Sequence, residues 1–291
     1  MSCLGRALLD ALAEGDLHRA SQAVARGAPL EEVNEAGETP LVLASGAGHD
    51  AVVEELVYRG ANLEARDRRR SWTPLLTASA RGSASTVRTL LLGQANAEAT
   101  GQEGETPVQL ASLMGHLDVV RLLLEAGASP NIAAEDGKRA LSHACYRGHL
   151  EIATSLLQHR AMPSDQDGAG RCPLHWAAAK GQEAVVDLLL SNGAPLDLQD
   201  ARGWSPLLAA AQMGHSEVVS RLLKARAALE MKGIDGETAL MLAALNGHVE
   251  VLHLLAVARA ALETCARDGL TALNLAAEAG QFEAARRLLA L

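Results

Sequence analysis

A chain of 291 residues is long enough for one large domain or two smaller ones, and 48% hydrophobic residues with only 2% aromatics leave the apolar mass to Ala and Leu. Thin layers of tightly packed helices suit that composition, and a large aromatic-lined cofactor pocket does not. A formal net charge of −9 speaks against bulk binding to DNA or RNA phosphates, which needs a surplus of Lys and Arg, and leaves room for a local basic patch.

The first segment, 4–33, reads as a pair of helices: Leu8, Leu9 and Leu12, then Gly15-Asp16-Leu17, then Gly27-Ala28. A five-residue signature follows, Gly37-Glu38-Thr39-Pro40-Leu41, and it returns along the chain. Its Thr position is held by Thr39, Thr73, Thr106, Arg139, Cys172, Ser205, Thr238 and Thr271, with a first interval of 34 residues and later intervals of 33. Such a period predicts an all-α solenoid of small units, each covering its neighbour's apolar face. The units are 4–33 (an N-terminal cap), 34–67, 68–100, 101–133, 134–166, 167–199, 200–232, 233–265 and a last, truncated 266–291, together one domain over 4–291.

The unit 101–133 shows the local logic. Thr106 caps the first turn of a helix and Pro107 stands at its first position, where no donor is needed. Val108, Leu110 and Ala111 are its apolar residues, and Gly115 ends it in a left-handed conformation. His116-Leu117 leads into a second helix with Val119, Val120, Leu122 and Leu123 at helical spacing, and Gly127 ends that one. Two departures stand out. Gln94, Arg160, Arg226 and Arg259 replace the glycine after the second helix, and these ends are expected to fray first. The loop Arg66-Asp67-Arg68-Arg69-Arg70 holds one extra residue, has Ser71 in place of glycine, and is expected to bulge outward. After Leu291 two readings stay open: a second helix that ends the protein, or a natural chain that continues.

The pattern G-x-T-P-L, then Ala-x-x-x-Gly-His, then Leu-Leu-x-x-Gly-Ala at this period resembles the ankyrin repeat, most clearly at GETPLVLASGAGH, GETPVQLASLMGH, CPLHWAAAKGQ, WSPLLAAAQMGH and GETALMLAALNGH. The resemblance implies helix-turn-helix pairs in a curved stack, with hairpin-like loops projecting to give an L-shaped section. It also implies a surface that binds other proteins, and a bonding role between repeats for His175 in its Pro-Leu-His step.

Nothing in the chain reads as an active site. Five of the ten histidines, His49, His116, His149, His215 and His248, share the position after the turn glycine, and units ~10 Å apart are too far for two rings to share one zinc at bonds of ~2 Å. Their role reads as hydrogen bonding between units. His143 and Cys145 share one short helix and read as packed. Cys3, Cys145, Cys172 and Cys265 are spaced neither as a zinc pair nor as a redox pair, so free thiols in a reducing compartment are expected. No nucleophile elbow, phosphate loop, kinase set or zinc-protease motif occurs, and no catalytic residue, cofactor or metal is expected. Met1 to Ala11 carries one basic residue, Arg6, and no apolar run fit for a secretory signal; nothing approaches the ~20 apolar residues of a membrane span. A soluble, intracellular monomer is expected, cytoplasmic or nuclear.

What varies at fixed places in the period locates the partner surface. The residues closing each first helix form one row, Arg81, Met114, Arg147, Lys180, Met213 and Asn246, and beside it Ala80, Leu113, Tyr146, Ala179, Gln212 and Leu245. A third row, before the Thr position, is Glu38, Trp72, Glu105, Lys138, Arg171, Trp204 and Glu237. Trp, Tyr, Arg and Met favour interface hot spots. The candidate contact residues are therefore Trp72, Arg81, Leu113, Met114, Tyr146, Arg147, Arg171, Lys180, Arg202, Trp204 and Met213, with Glu103, Glu105, Asp235 and Glu237 as acidic flanks. The other aromatics take duller roles: Trp176 in a buried leucine position, Phe282 between helices, Tyr58 on a second helix. Competing with this surface are Trp72 and Trp204 as mere covers of the loop base, and contact through the Arg66–Arg70 loop. The function expected is a non-catalytic adaptor, scaffold or inhibitor binding a protein or peptide with acidic and apolar groups through the concave groove and loop tips, with nucleic acid and membrane disfavoured. A rival is the substrate-targeting part of a larger kinase, acyltransferase or ubiquitin ligase; a third is an elastic spacer.

Overall fold

Thr-Pro steps start helices because a hydroxyl can accept an otherwise orphaned N–H while proline gives up a donor that has no use. In the computed structural model of the chain, the hydroxyls of Thr39, Thr73, Thr106, Ser205, Thr238 and Thr271 each accept from the N–H three residues on at 3.3–3.4 Å, with proline following at the first four and alanine at the last two. The structure describes residues 2–291, so Met1, the start of the segment read for a secretory signal, lies outside it. The described residues form eighteen helices and no strand. The fold is that of an ankyrin-repeat solenoid.

The chain divides into two compact units, Met1–Ala140 with Gln158–Arg160, and Leu141–Leu157 with Ala161–Leu291. The first contains the pairs α1 (Cys3–Glu14) and α2 (Leu17–Ala25), α3 (Pro40–Ala47) and α4 (Asp50–Tyr58), α5 (Pro74–Arg81) and α6 (Ala84–Leu92), and α7 (Pro107–Met114) and α8 (Leu117–Glu125). Next along the chain come α9 (Ala140–Arg147) and α10 (Leu150–Gln158). The second unit continues with α11 (Pro173–Ala179) and α12 (Glu183–Ser191), α13 (Pro206–Met213) and α14 (Ser216–Lys224), α15 (Ala239–Leu245) and α16 (Val249–Val257), and α17 (Ala272–Glu278) and α18 (Phe282–Leu289). Within each unit first helices pack on first helices and second helices on second helices, giving two layers. Between them runs a ladder of leucines at one register: Leu56, Leu90 and Leu123 in the first unit, Leu156, Leu189, Leu222 and Leu255 in the second, all fully buried. Leu288, at the same register in α18, is 9% exposed.

The loops between pairs stack by one main-chain bond each. Arg68 N–H donates to Ala36 O, Gln102 to Arg70 O and Glu135 to Glu103 O in the first unit; Ala201 donates to Ala169 O, Ile234 to Arg202 O and Arg267 to Asp235 O in the second.

The turn histidines join neighbouring repeats. Nε2 of His116 bonds Ala80 O at 3.2 Å, that of His215 bonds Ala179 O at 3.2 Å, and that of His248 bonds Gln212 O at 3.1 Å. Gly214 shows why glycine precedes such a histidine twice over: its φ is 77°, and an added Cβ would lie 2.5 Å from the His248 ring. His49 departs from the pattern, its Nε2 being buried with no hydrogen-bond partner among the described residues.

Gln94, Arg160, Arg226 and Arg259 do adopt the left-handed conformation, with φ between 66° and 70°. At Arg226 the reversal is held by Arg226 N–H to Leu223 O and Ala227 N–H to Leu222 O, at 2.9 and 3.0 Å. A side chain in this region costs ~1–2 kcal/mol, partly offset by the unfolded-chain entropy that glycine adds, ~0.4–1 kcal/mol. Arg226→Gly is therefore expected to raise stability by up to about 1 kcal/mol in urea unfolding. In the parent protein, amides around Arg226 should exchange faster than those around Gly193; equal protection would show that the end does not fray.

Phe282 corrects one expectation. It does not pack between helices but is 85% exposed. Its register position, the first residue of a second helix, is half-exposed in earlier repeats at Leu117, Leu150 and Val249, so it is not a core position of the repeat.

Candidate functional site

In the first unit Arg81, Leu113 and Met114 sit where α5 and α7 end, and Trp72 just before α5 begins. Arg81 and Met114 (54% exposed) are open to solvent, and Leu113 and Trp72 are half-buried. Trp72 is held from two sides: its Nε1–H donates to Glu105 Oε1, and the Arg70 guanidinium lies over its ring at 4.7 Å. A cleft of about 420 Å³ opens beside it, lined by Leu12, Val42, Leu43, Arg69, Trp72 and Arg81 among others. The Arg66–Arg70 loop was expected to bulge outward as a separate contact. Arg68, Arg69 and Arg70 are exposed, and Arg69 and Arg70 line the same cleft as Arg81. The extra residue is accommodated by Ser71 at φ 57°, while Asp67 Oδ1 accepts the N–H groups of Arg69 and Arg70 at 2.9 and 2.7 Å.

In the second unit the predicted residues form two clusters. Around Tyr146, the Lys180 ammonium stands 4.8 Å and the Arg147 guanidinium 5.7 Å from the ring centroid. Trp176 meets the same ring edge-on, with centroids 5.4 Å apart and planes at 83°, and Arg171 covers Trp176 at 3.9 Å. Such cation–ring contacts are worth ~0.5–1 kcal/mol at exposed sites. Asp167 organises the base of the cluster: its Oδ2 accepts from Arg171 Nε and from Trp176 Nε1–H, both at 3.2 Å. Arg147 and Lys180 are exposed and, among the described residues, have no carboxylate within ion-pair reach. The second cluster is Trp204, covered by Arg202 at 3.8 Å, its Nε1–H donating to Glu237 Oε1. Met213 closes α13 and is 51% exposed.

Trp176 was placed in a buried leucine position, but the structure leaves it half-buried and part of the Tyr146 cluster. The signal was available: Trp176 stands one helical turn before the Tyr146 register, in the next repeat, and rings so placed on adjacent parallel helices meet. The acidic flanks are corrected too. Glu105 and Glu237 are not free tips, since each takes an indole N–H and a loop amide, from Glu103 at 2.9 Å and from Asp235 at 3.0 Å. Gly101 and Gly233 make this possible, because a Cβ at either would collide with the carboxylate at under 2.5 Å. In the loops of Asp67, Asp167 and Asp200 the carboxylate comes from the residue that Gly101 and Gly233 replace.

One cysteine–histidine pair needs weighing as chemistry. Cys172 Sγ lies 3.1 Å from His175 Nδ1, but that nitrogen also accepts the Cys172 N–H at 3.2 Å, and Nε2–H donates to Trp204 O at 2.8 Å. Burial pushes the Cys172 thiol up and the His175 imidazole down, the reverse of an activated thiolate–imidazolium pair. Cys145 is buried and also pushed up. The pair is therefore structural: His175 closes the N-terminus of α11 and ties it to the next loop. Among the described residues no group of three metal-ligating side chains converges, and no helix is long and apolar enough to cross a membrane.

Comparison with known proteins agrees with this architecture. The family profile described as ankyrin repeats in three copies matches residues 65–134, 126–200, 185–263 and 207–291, and the single ankyrin-repeat profile matches 36–68. No curated protein matches. Among solved structures, the crystal structure of the human ASB11 ankyrin repeat domain superposes with a TM-score of 0.70 at 28% identity, over 75% of this chain and 97% of that one. The chain belongs to the ankyrin-repeat family.

Proposed function

We propose that this chain is a non-catalytic interaction module that binds a protein or peptide carrying acidic and apolar groups, with Tyr146, Arg147 and Lys180 at the centre of the contact. Ankyrin repeats are generally protein–protein interaction modules. The observation that carries the placement is two exposed cations without acidic partners, set around one ring and beside a second, on a chain of net charge −9. Aromatic and arginine anchors of this kind dominate binding energy in interfaces, and rings already held by neighbouring cations lose little freedom on binding. The four free thiols, two of them exposed, suit a reducing compartment, the cytoplasm or nucleus.

The test is a triple substitution, Tyr146→Ala with Arg147→Ala and Lys180→Ala. A partner captured from native extract with the parent chain is identified and its affinity measured against both proteins. The variant is expected to bind at least about tenfold more weakly, from lost hot-spot contacts, with an unchanged circular dichroism spectrum. Unchanged affinity would place the contact elsewhere.

A further inference from the structure

We propose that the cleft at the amino-terminal end of the chain is a second binding site, which takes an extended acidic segment of a partner protein with an apolar side chain between its carboxylates. The proposal rests on the protein-binding reading of the chain, but not on the Tyr146 cluster.

The cleft exists because the rows that carry bulky residues later in the chain are small at its start. At the register of Leu113 and Tyr146 stand Ala13 and Gly46, and at the register of Met114 and Arg147 stands Ala47. Ala13, Gly46 and Ala47 all line the resulting space of about 420 Å³, within the ~300–1,000 Å³ typical of ligand clefts. Its two sides differ in chemistry. Repeats 4–33 and 34–67 supply an apolar side, Leu12, Val42 and Leu43, while repeat 68–100 supplies Arg69, Arg70 and Arg81 around Trp72.

The charge on that second side is uncommitted. Among the described residues Arg69 and Arg81 have no carboxylate within ion-pair reach, and the Arg70 guanidinium makes only its contact with the Trp72 ring. The two acids lining the cleft are engaged with their own loops: Glu38 accepts from Asn34 Nδ2 at 2.8 Å, and Asp67 accepts the Arg69 and Arg70 amides. Guanidinium forks favour carboxylates. Their spacing selects an extended ligand. Arg69 and Arg70 precede α5 and Arg81 ends it, so they stand at opposite ends of an eight-residue helix, roughly 12 Å apart at ~1.5 Å per residue. An extended chain at ~3.3 Å per residue covers that in about four residues. Two acidic positions flanking an apolar one match backbone positions this far apart, with the apolar side chain against Leu43, the half-buried member of the apolar side.

The probe is a fluorescein-labelled decapeptide with two central leucines and two glutamates on each side, titrated by anisotropy into the full chain. Saturable binding is expected. Arg69→Glu with Arg81→Glu should weaken it at least about tenfold, as loss of charge-assisted contacts does. Ala47→Phe, which fills the mouth of the cleft while keeping the charges, should do the same. The peptide with glutamine for glutamate should bind about tenfold more weakly or worse. All three positions are exposed, and thermal melting of each variant checks its fold. The Tyr146/Arg147/Lys180 variant should bind the peptide within about twofold of the parent. Absence of saturable binding, unchanged affinity in the Arg69/Arg81 variant, or displacement by free glutamate at concentrations matched to the peptide would overturn the proposal. Loss of the peptide only in the Tyr146 variant would also overturn it, while leaving the proposed function standing.

Discussion

His175→Ala is expected to lower the unfolding free energy by about 2–5 kcal/mol, read from urea denaturation at pH 7.5. The buried imidazole accepts the Cys172 N–H at the start of α11 and donates to Trp204 O in the next repeat. Truncation orphans both groups, at ~1–3 kcal/mol each. The chain contains its own control. Gln109, at the same register, accepts the Thr106 N–H through Oε1 at 2.9 Å and donates through Nε2 to Ile132 O at 2.6 Å and Lys138 O at 3.3 Å. An amide therefore serves both partners, and His175→Gln should recover most of the loss; no recovery would mean that packing of the ring, not its bonds, is what matters. The two variants also separate in pH. Burial lowers the folded-state pKa of His175 below its unfolded value of about 6.5. Protons are then bound more readily by the unfolded chain. The contribution is fully present above about pH 6.5 and is lost as pH falls through the lowered folded value. His175→Gln should lack this part of the acid sensitivity, so its stability should fall less than the parent's between pH 7.5 and pH 5.

Leu222→Ala should cost about 2–5 kcal/mol, because a fully buried leucine is removed between two close-packed layers that relax only in part. α14 packs against α12 and α16, so both neighbouring repeats lose contacts. The comparison is Leu288→Ala, at the same register in α18, which packs on α16 alone in its layer. It should cost distinctly less, under about 2 kcal/mol, because a site with one neighbour collapses more readily. Because adjacent repeats are coupled through their interfaces, Leu222→Ala should also broaden the unfolding transition of its unit. Equal costs at the two positions, measured by urea unfolding, would contradict a ladder whose strength comes from two-sided packing.

Much of the fold is legible at particular residues. Thr106 and Pro107 announce a helix start by local chemistry alone, and the structure places that cap where the hydroxyl can reach one turn ahead. The turn histidines announce a role between repeats through their period, and three of them make that bond. Even the awkward positions are readable: Arg226 stands where glycine belongs and takes the left-handed conformation regardless. These features depend on spacing within one repeat or on one fixed step between repeats.

The contact surface was legible only as rows. Register identified Tyr146, Arg147 and Lys180 as variable and exposed, but not that two cations would settle around one ring, or that Trp176 would join it. Glu105 and Glu237 read as free charges because nothing within their own repeat shows that the preceding tryptophan reaches them. The extra residue near Asp67 was visible, but the cleft that Arg69 and Arg70 share with Arg81 was not.

By itself the sequence determined the repeat, the all-helical layers, the caps, the leucine ladder and the rows free to vary, because periodic packing repeats one local solution at each step. Only the tertiary structure decided which side chains of neighbouring repeats meet, where small residues leave a cleft, and which charges remain unpaired. Those outcomes depend on rotamers and loop paths across repeats, and the period leaves both free.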